Sequence, residues 1–181
     1  PSSKRVEKIL QEEVNKDFTS FDVDGSEVLL PSVRMNALFL ARHCAGHFAS
    51  TEMTLRQLLD WLLFVQANDM PWQWLYGILK AENMDKFVDA MNMIGIQFLG
   101  MPSSLFPEPH CSKELMERIL ADTLEPEFKE KEDGSLMSGL WVKPRRWMHN
   151  RWKYEICYKD SVLTGFIFTL WAKILKPSHF R

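Results

Sequence analysis

The chain has 181 residues, of which 46% are hydrophobic and 25% are charged, and its formal net charge at pH 7 is -2. This composition is that of a globular domain with a full core, and it excludes a disordered or collagen-like chain. The near-neutral charge excludes an overall electrostatic attraction to nucleic acid. Three widely spaced cysteines exclude a disulfide framework and a CxxC metal site. No signal peptide opens the chain and no apolar run is long enough to span a bilayer, so we expect a cytoplasmic protein.

The first thirty residues predict a helix followed by a β-hairpin. Residues 4–15 carry apolar side chains at the spacing of an amphipathic surface helix. Residues 18–30 alternate around Asp24-Gly25, a pair typical of the two-residue turn of a hairpin. Because an isolated hairpin is at best marginally stable, we expect its strands to lean on the helices or to extend a sheet supplied by other sequence.

Helical patterns continue through the central part of the chain. Two helices that are apolar on nearly every side follow Pro31, and Ser50 or Thr51 is expected to cap the second one. Further helices are predicted over 72–82 and 84–99, with a stop at Gly100, and from Ser112 to about 124, and a last one over 161–175.

The predicted fold is mainly α: a bundle of about seven helices with one small N-terminal β-hairpin. A charged, polar stretch separates the basic C-terminal part from the bundle and is the expected linker. The organisation is therefore residues 1–30, helix and hairpin; 31–124, central helical bundle; 125–134, linker; and 135–181, basic tryptophan-rich C-terminal helices.

The two central helices carry four ionisable side chains that we select as candidate substrate-binding residues. His43 and His47 lie four residues apart on the first helix, and Arg56 and Asp60 on the second, so each pair projects from one helix face. The short link between the helices predicts a helical hairpin that brings the four together. Because charges buried in an apolar core need partners, we expect them to pair with one another or with a ligand.

Other interpretations of the same histidines stay open. The spacing of His43 and His47 is that of helical zinc ligands, but no third ligand stands at a standard position. They could instead be core-edge histidines that bond Asp60 or the backbone, or they could contact a phosphate. Arg42 and His47 resemble the arginine and histidine of HEPN ribonucleases in spacing, although on an ideal helix they point about 140° apart.

Asp22 and Asp24 have the alternate spacing by which two carboxylates on one strand face hold Mg²⁺ in nucleotidyltransferases. In that arrangement a Gly-Ser pair comes earlier, on a preceding helix. Here Gly25-Ser26 follows the aspartates, so we interpret the segment as the hairpin turn.

Tryptophans alternate with basic residues between 141 and 153. Three interpretations are open. The basic residues could bind phosphates while the rings stack on bases, or the stretch could lie on a membrane surface. Alternatively, the tryptophans pack in the core and the basic residues form an outer face. We favour core packing. The candidates for phosphate or nucleic-acid contact are Arg145, Arg146, Arg151 and Lys153.

Several short motifs resemble one protein family. The motifs are Leu30-Pro31-Ser32, Arg42-His43, Gly46-His47-Phe48, Leu55-Arg56-Gln57-Leu58-Leu59-Asp60-Trp61, Arg145-Arg146-Trp147 and Asn150-Arg151-Trp152-Lys153. They are similar to the helical half of uncharacterised nucleotidyltransferase-like proteins of the type common in gut Bacteroidetes, within the polymerase-beta-like superfamily. In that superfamily an N-terminal α/β domain carries a Gly-Ser and paired-aspartate motif, and a C-terminal helical bundle completes the substrate cleft.

The resemblance implies that this chain is the substrate-side helical portion and that the catalytic α/β domain lies outside it, with residues 1–30 as its tail. His43, His47, Arg56 and Asp60 would then face the nucleotide or the acceptor, and no catalytic residue or metal ligand is assigned here. Mg²⁺ and a nucleoside triphosphate are expected for the full-length protein, and the chain alone should be inactive. The alternatives are a non-enzymatic binding or scaffold domain and a HEPN-like ribonuclease.

Overall fold

The computed structural model describes residues 4–14, 16, 18–128 and 148–159. Within these ranges it contains seven α-helices and one antiparallel hairpin, which confirms the predicted mainly α bundle. The elements are α1 (Lys4–Val14), β1 (Phe18–Val23), β2 (Ser26–Pro31), α2 (Val33–Ser50), α3 (Leu55–Ala67), α4 (Trp72–Glu82), α5 (Asp85–Leu99), a short 3-10 turn (Ser103–Leu105), α6 (Lys113–Leu124) and α7 (Arg151–Cys157). The helix expected over 161–175 and most of the linker fall outside the described residues.

Helix α2 lies at the centre of the bundle and contacts α1, α3, α4 and α7. Alanines on its inner side allow the neighbouring helices to approach closely, and Phe48 fills the space between them; the buried set is Ala37, Leu38, Ala41, Cys44, Ala45, Phe48 and Ala49. Within the described residues, no helix is both long and apolar enough to cross a membrane.

The start of α3 differs from the prediction. Thr54, and not Ser50 or Thr51, is its N-cap, because Thr54 and Gln57 form a reciprocal capping box. The hydroxyls of Ser50 and Thr51 instead donate to the carbonyls of Gly46 and His47, at 2.6 and 3.2 Å, and so belong to the end of α2. Gly100, in the left-handed conformation, ends α5 as expected.

The hairpin forms around the predicted turn. Asp24 and Gly25 both have positive φ, 53° and 79°, as a two-residue hairpin turn requires, and Asp22 Oδ1 accepts a bond from Gly25 N at 3.1 Å. Every described side chain from Phe18 to Leu30 is exposed, so the strands do not lean on the helices, and the other expected alternative, a sheet extended by other sequence, stays a prediction.

The two faces of the hairpin have different chemistry. The strand register pairs Phe21 with Val28, and side chains on alternate residues share a face. One face therefore carries Phe21, Val23, Val28 and Leu30, which are 41 to 54% exposed and which we call the apolar hairpin face. The opposite face carries Phe18, Ser20, Asp22, Glu27 and Leu29.

Candidate functional site

His43 and His47 project together from one face of α2, as their spacing predicts. Their rings meet edge to face with centroids 4.5 Å apart. The ring of Phe39 stacks on that of His43 at 5.6 Å, with 15° between the two planes. Phe39 and His43 are exposed and His47 is half-buried. We call Phe39, His43 and His47 the aromatic stripe.

Phe39 was not among the residues selected from the sequence. A signal for it exists, because Phe39 stands four residues before His43 and so falls on the same helix face as the two histidines. Because the sequence of α2 is apolar on nearly every side, hydrophobicity alone does not distinguish this solvent-facing ring from the core residues.

Arg56 and Asp60 lie on α3 and are exposed. The described residues provide no hydrogen bond or ion pair that joins either of them to the other or to the histidines. The expectation of burial is therefore wrong for His43, Arg56 and Asp60, whereas pairing with a ligand, the other alternative, stays a prediction. The reason is the amphipathic character of α3: Leu58, Trp61 and Leu62 point into the core, which turns positions 56 and 60 to solvent. Their role in substrate binding stays a prediction.

Cys44 connects the two helices on their buried side. Its thiol donates a hydrogen bond to the carbonyl of Gln57 at 3.4 Å. Burial raises the pKa of Cys44 to about 12, and the nearby negative charge of Asp60 adds to the rise. Cys44 is therefore a protonated structural thiol and not a nucleophile, and Asp60 lies close enough to α2 for its charge to act there.

Arg42 and Gly46 face a different side of α2. A Cβ atom at Gly46 would lie 3.7 Å from the hydroxyl of Tyr158. Burial raises the pKa of Tyr158 to about 12, with contributions from Cys157 and Tyr154, while the positive charge of Arg42 opposes the rise. Arg42 thus lies towards Tyr158, whereas His47 contacts His43, and this geometry does not favour the ribonuclease pattern.

The basic C-terminal candidates separate into three cases. Lys153 is 1% exposed and its ammonium lies 2.5 Å from the carboxylate of the fully buried Asp122, so it does not belong to a basic outer face and its ammonium is already bonded. Arg151 is exposed and pairs with Glu155 at 2.8 Å. Arg145 and Arg146 lie outside the described residues.

Trp152 packs against the core, as we favoured. It meets Phe48 edge to face at 5.5 Å, and the guanidinium of Arg118 stacks on its ring at 3.8 Å. Arg118 also donates two bonds to Glu127, at 2.8 and 3.1 Å, which lowers the pKa of Glu127. These contacts attach α7 to α6 and to the chain that follows α6.

The residues that the structure describes do not fit a magnesium site. No group of three or more His, Cys, Asp or Glu side chains among them lies close enough to hold a metal ion. The carboxylate of Asp22 accepts a hydrogen bond from Gly25 N in the turn, and the backbone of Asp24 is in the left-handed region. The two carboxylates therefore do not lie on one face of an extended strand.

Comparison with known proteins identifies the family. No curated protein and no solved structure matches the chain significantly. A family model described as "Uncharacterised nucleotidyltransferase" matches residues 1–97, which is more than half of the chain. The match covers α1, the hairpin, the aromatic stripe, α3, α4 and most of α5. The chain belongs to this family of uncharacterised nucleotidyltransferases.

Proposed function

We propose that the chain is the substrate-side helical domain of a magnesium-dependent nucleotidyltransferase, and that an α/β domain outside these 181 residues supplies the metal-binding carboxylates. The family match over residues 1–97 carries this proposal. In nucleotidyl transfer an acceptor oxygen attacks the α-phosphorus of a nucleoside triphosphate. The bond from that phosphorus to the bridging oxygen breaks, and pyrophosphate leaves.

The apolar hairpin face supports the presence of a second domain. The strand register is uninterrupted, so no β-bulge twists Phe18–Val23 or Ser26–Pro31 away from a partner. Four side chains that are about half exposed leave on the order of 300 Å² uncovered, less than half of the roughly 800 Å² per partner in a stable interface. An area this small favours a domain tethered in the same polypeptide over a free partner.

The polar residues of α2 and α3 support a binding role. The guanidinium of Arg56 is exposed and matches the geometry of a phosphate, which Arg binds through two parallel hydrogen bonds. The carboxylate of Asp60 accepts from hydroxyl or amino groups, and the imidazoles of His43 and His47 both accept and donate. Among the described residues no hydrogen bond or ion pair occupies the polar atoms of these side chains, so a ligand need not displace one.

The test uses the full-length protein with Mg²⁺ and ATP that carries a label on either the α- or the γ-phosphate, with cell extract as the source of acceptor. We expect the α-label alone to become attached to an acceptor, with release of pyrophosphate. Transfer of the γ-label would indicate a phosphotransferase instead. ATP binding without transfer of either label would favour the second candidate, a non-enzymatic binding or scaffold domain, which the exposed hairpin also suits.

Hairpin variants complete this experiment. Phe21→Ser combined with Val28→Ser removes the centre of the apolar hairpin face and should abolish transfer, because the two domains no longer dock. Leu29→Ser on the opposite face is the matched control, since Leu29 is equally exposed, at 57%, and should keep activity. Equal activity in all three proteins would contradict docking at this face.

A further inference from the structure

We propose that Phe39 and His43 form the surface on which the base of the nucleoside triphosphate stacks. This inference rests on the proposed function and names the part of the nucleotide that α2 contacts. Nucleobases stack on flat aromatic side chains, and each base stacked in this way contributes measurably to affinity whatever its identity.

The geometry of the two rings provides such a surface. Their planes lie within 15° of each other and their centroids are 5.6 Å apart, so they offer neighbouring and nearly parallel faces. Phe39 is 48% exposed although it belongs to the central helix of the bundle. His47 meets the edge of the His43 ring at 4.5 Å and so restricts its orientation. A contact that restricts a ring before a ligand arrives lowers the entropic cost of binding.

The aromatic stripe lies close to the hairpin. Asn36 lies at the start of the same helix face and donates a hydrogen bond to the carbonyl of Pro31, at the end of β2, with a length of 2.9 Å. The aromatic stripe therefore begins at the base of the hairpin. Arg56 and Asp60, on the neighbouring helix, are suited to the ribose and phosphates.

Affinity measurements on the full-length protein test the stacking surface. Phe39→Ala should raise the dissociation constant of ATP at least fivefold, because stacking on an aromatic ring is lost. The dissociation constant of inorganic tripolyphosphate, which has no base, should stay unchanged. Phe98→Ala is the matched control, because Phe98 is a comparably exposed phenylalanine, at 55%, on α5.

Two His43 variants separate stacking from hydrogen bonding. His43→Phe keeps a flat ring and should bind ATP within about twofold of wild type, whereas His43→Ala should bind more weakly. Equal weakening by both would show that the imidazole nitrogens act instead and would overturn the proposal. Two other results would also overturn the proposal. In one, Phe39→Ala binds ATP as tightly as Phe98→Ala does; in the other, Phe39→Ala weakens the binding of tripolyphosphate as much as that of ATP.

The same data distinguish failure of this inference from failure of the proposed function. A wild-type protein that binds neither ATP nor tripolyphosphate would overturn the function and the stacking surface together. Binding of ATP that is indifferent to Phe39 would overturn the stacking surface alone. Circular dichroism of each variant confirms that the helices are retained.

Discussion

Two sets of ionisable residues occur in this helical bundle, and they are stabilised in opposite ways. Asp122 and Lys153 are 0 and 1% exposed and lie 2.5 Å apart across α6 and α7. His43, Arg56 and Asp60 are exposed on α2 and α3 and are joined by no ion pair within the described residues. Burial forces a charge to find a partner of opposite sign, whereas exposure leaves it hydrated and available to a ligand.

The buried pair holds distant parts of the chain together. Asp122 and Lys153 are 31 residues apart, and the second oxygen of Asp122 accepts a hydrogen bond from Glu127 N at 3.0 Å. The ammonium of Lys153 also lies 5.0 Å from the centre of the Phe48 ring on α2. The pair therefore links α6 and α7 next to the central helix, and it has a structural role that the exposed set does not have.

The largest effect is expected where this pair is broken. Lys153→Met leaves Asp122 buried without its counter-charge, and the free energy of unfolding should fall by about 3–5 kcal/mol in urea titrations. Arg151→Met is the matched control, because Arg151 forms an exposed pair with Glu155 on the same helix. That control should cost less than about 1 kcal/mol.

A double variant distinguishes the charge from the packing. Lys153→Met together with Asp122→Asn removes both charges and keeps an oxygen that accepts from Glu127 N, so most of the lost stability should return. If the single and double variants are equally unstable, the loss comes from packing around Lys153 and not from an unpaired carboxylate.

The next effect is the change in the free energy of unfolding with pH that the Cys44 thiol on α2 causes. The pKa of Cys44 is raised to about 12 from its ordinary value of 9.0 in the folded chain. Below about pH 9 the thiol is protonated in the folded and the unfolded chain, so its contribution is fully present. From about pH 9 to about pH 12 only the unfolded chain releases the proton, and the free energy of unfolding falls by up to about 1.4 kcal/mol per pH unit.

Urea titrations at steps between about pH 8 and about pH 11 measure this slope. Cys44→Ala should flatten it clearly. Cys111→Ala should flatten it nearly as much below about pH 11, because the pKa of the half-buried Cys111 is raised to about 11, and the two variants should differ only above that pH. Identical slopes in wild type and Cys44→Ala would contradict the burial of this thiol in solution.

The sequence contains strong local signals for most of the fold. Asp24-Gly25 predicts the hairpin turn, Gly100 predicts the end of α5, and both are confirmed because each depends on the backbone freedom of one or two residues. The capping box of Thr54 and Gln57 was also present in the sequence, but the hydroxyls of Ser50 and Thr51 compete with it as caps. In the structure the hydroxyls of Ser50 and Thr51 donate to carbonyls of α2, whereas the hydroxyl of Thr54 accepts from the backbone of α3, so α3 begins after Thr54.

The sequence predicts which candidate residues lie next to each other on a helix, but it does not predict which of them are buried. Four-residue spacing is sufficient to bring His43 and His47 together, since it depends only on helix geometry. The bond between Asp122 and Lys153 follows no local pattern, because tertiary packing brings together residues 31 positions apart. For this reason Lys153 was predicted at the surface, whereas Arg56 and Asp60 were expected in the interior.

The smallest effect on stability is expected for the exposed set. His43→Ala, Arg56→Ala and Asp60→Ala should each change the free energy of unfolding by no more than about 0.5 kcal/mol, since exposed side chains that form no ion pair with the described residues contribute little. The same urea titrations measure this. A loss above about 1.5 kcal/mol in any one would mean that the residue has a structural partner in solution, and its selection as a ligand-binding residue would fail. Asp60→Ala should in addition lower the pKa of Cys44, because the Asp60 charge contributes to its rise, so the alkaline fall in stability should end at a lower pH and less stability should be lost by about pH 12. A substitution that leaves stability at neutral pH unchanged but reduces this total loss would show that the exposed carboxylate acts electrostatically on the buried side of α2.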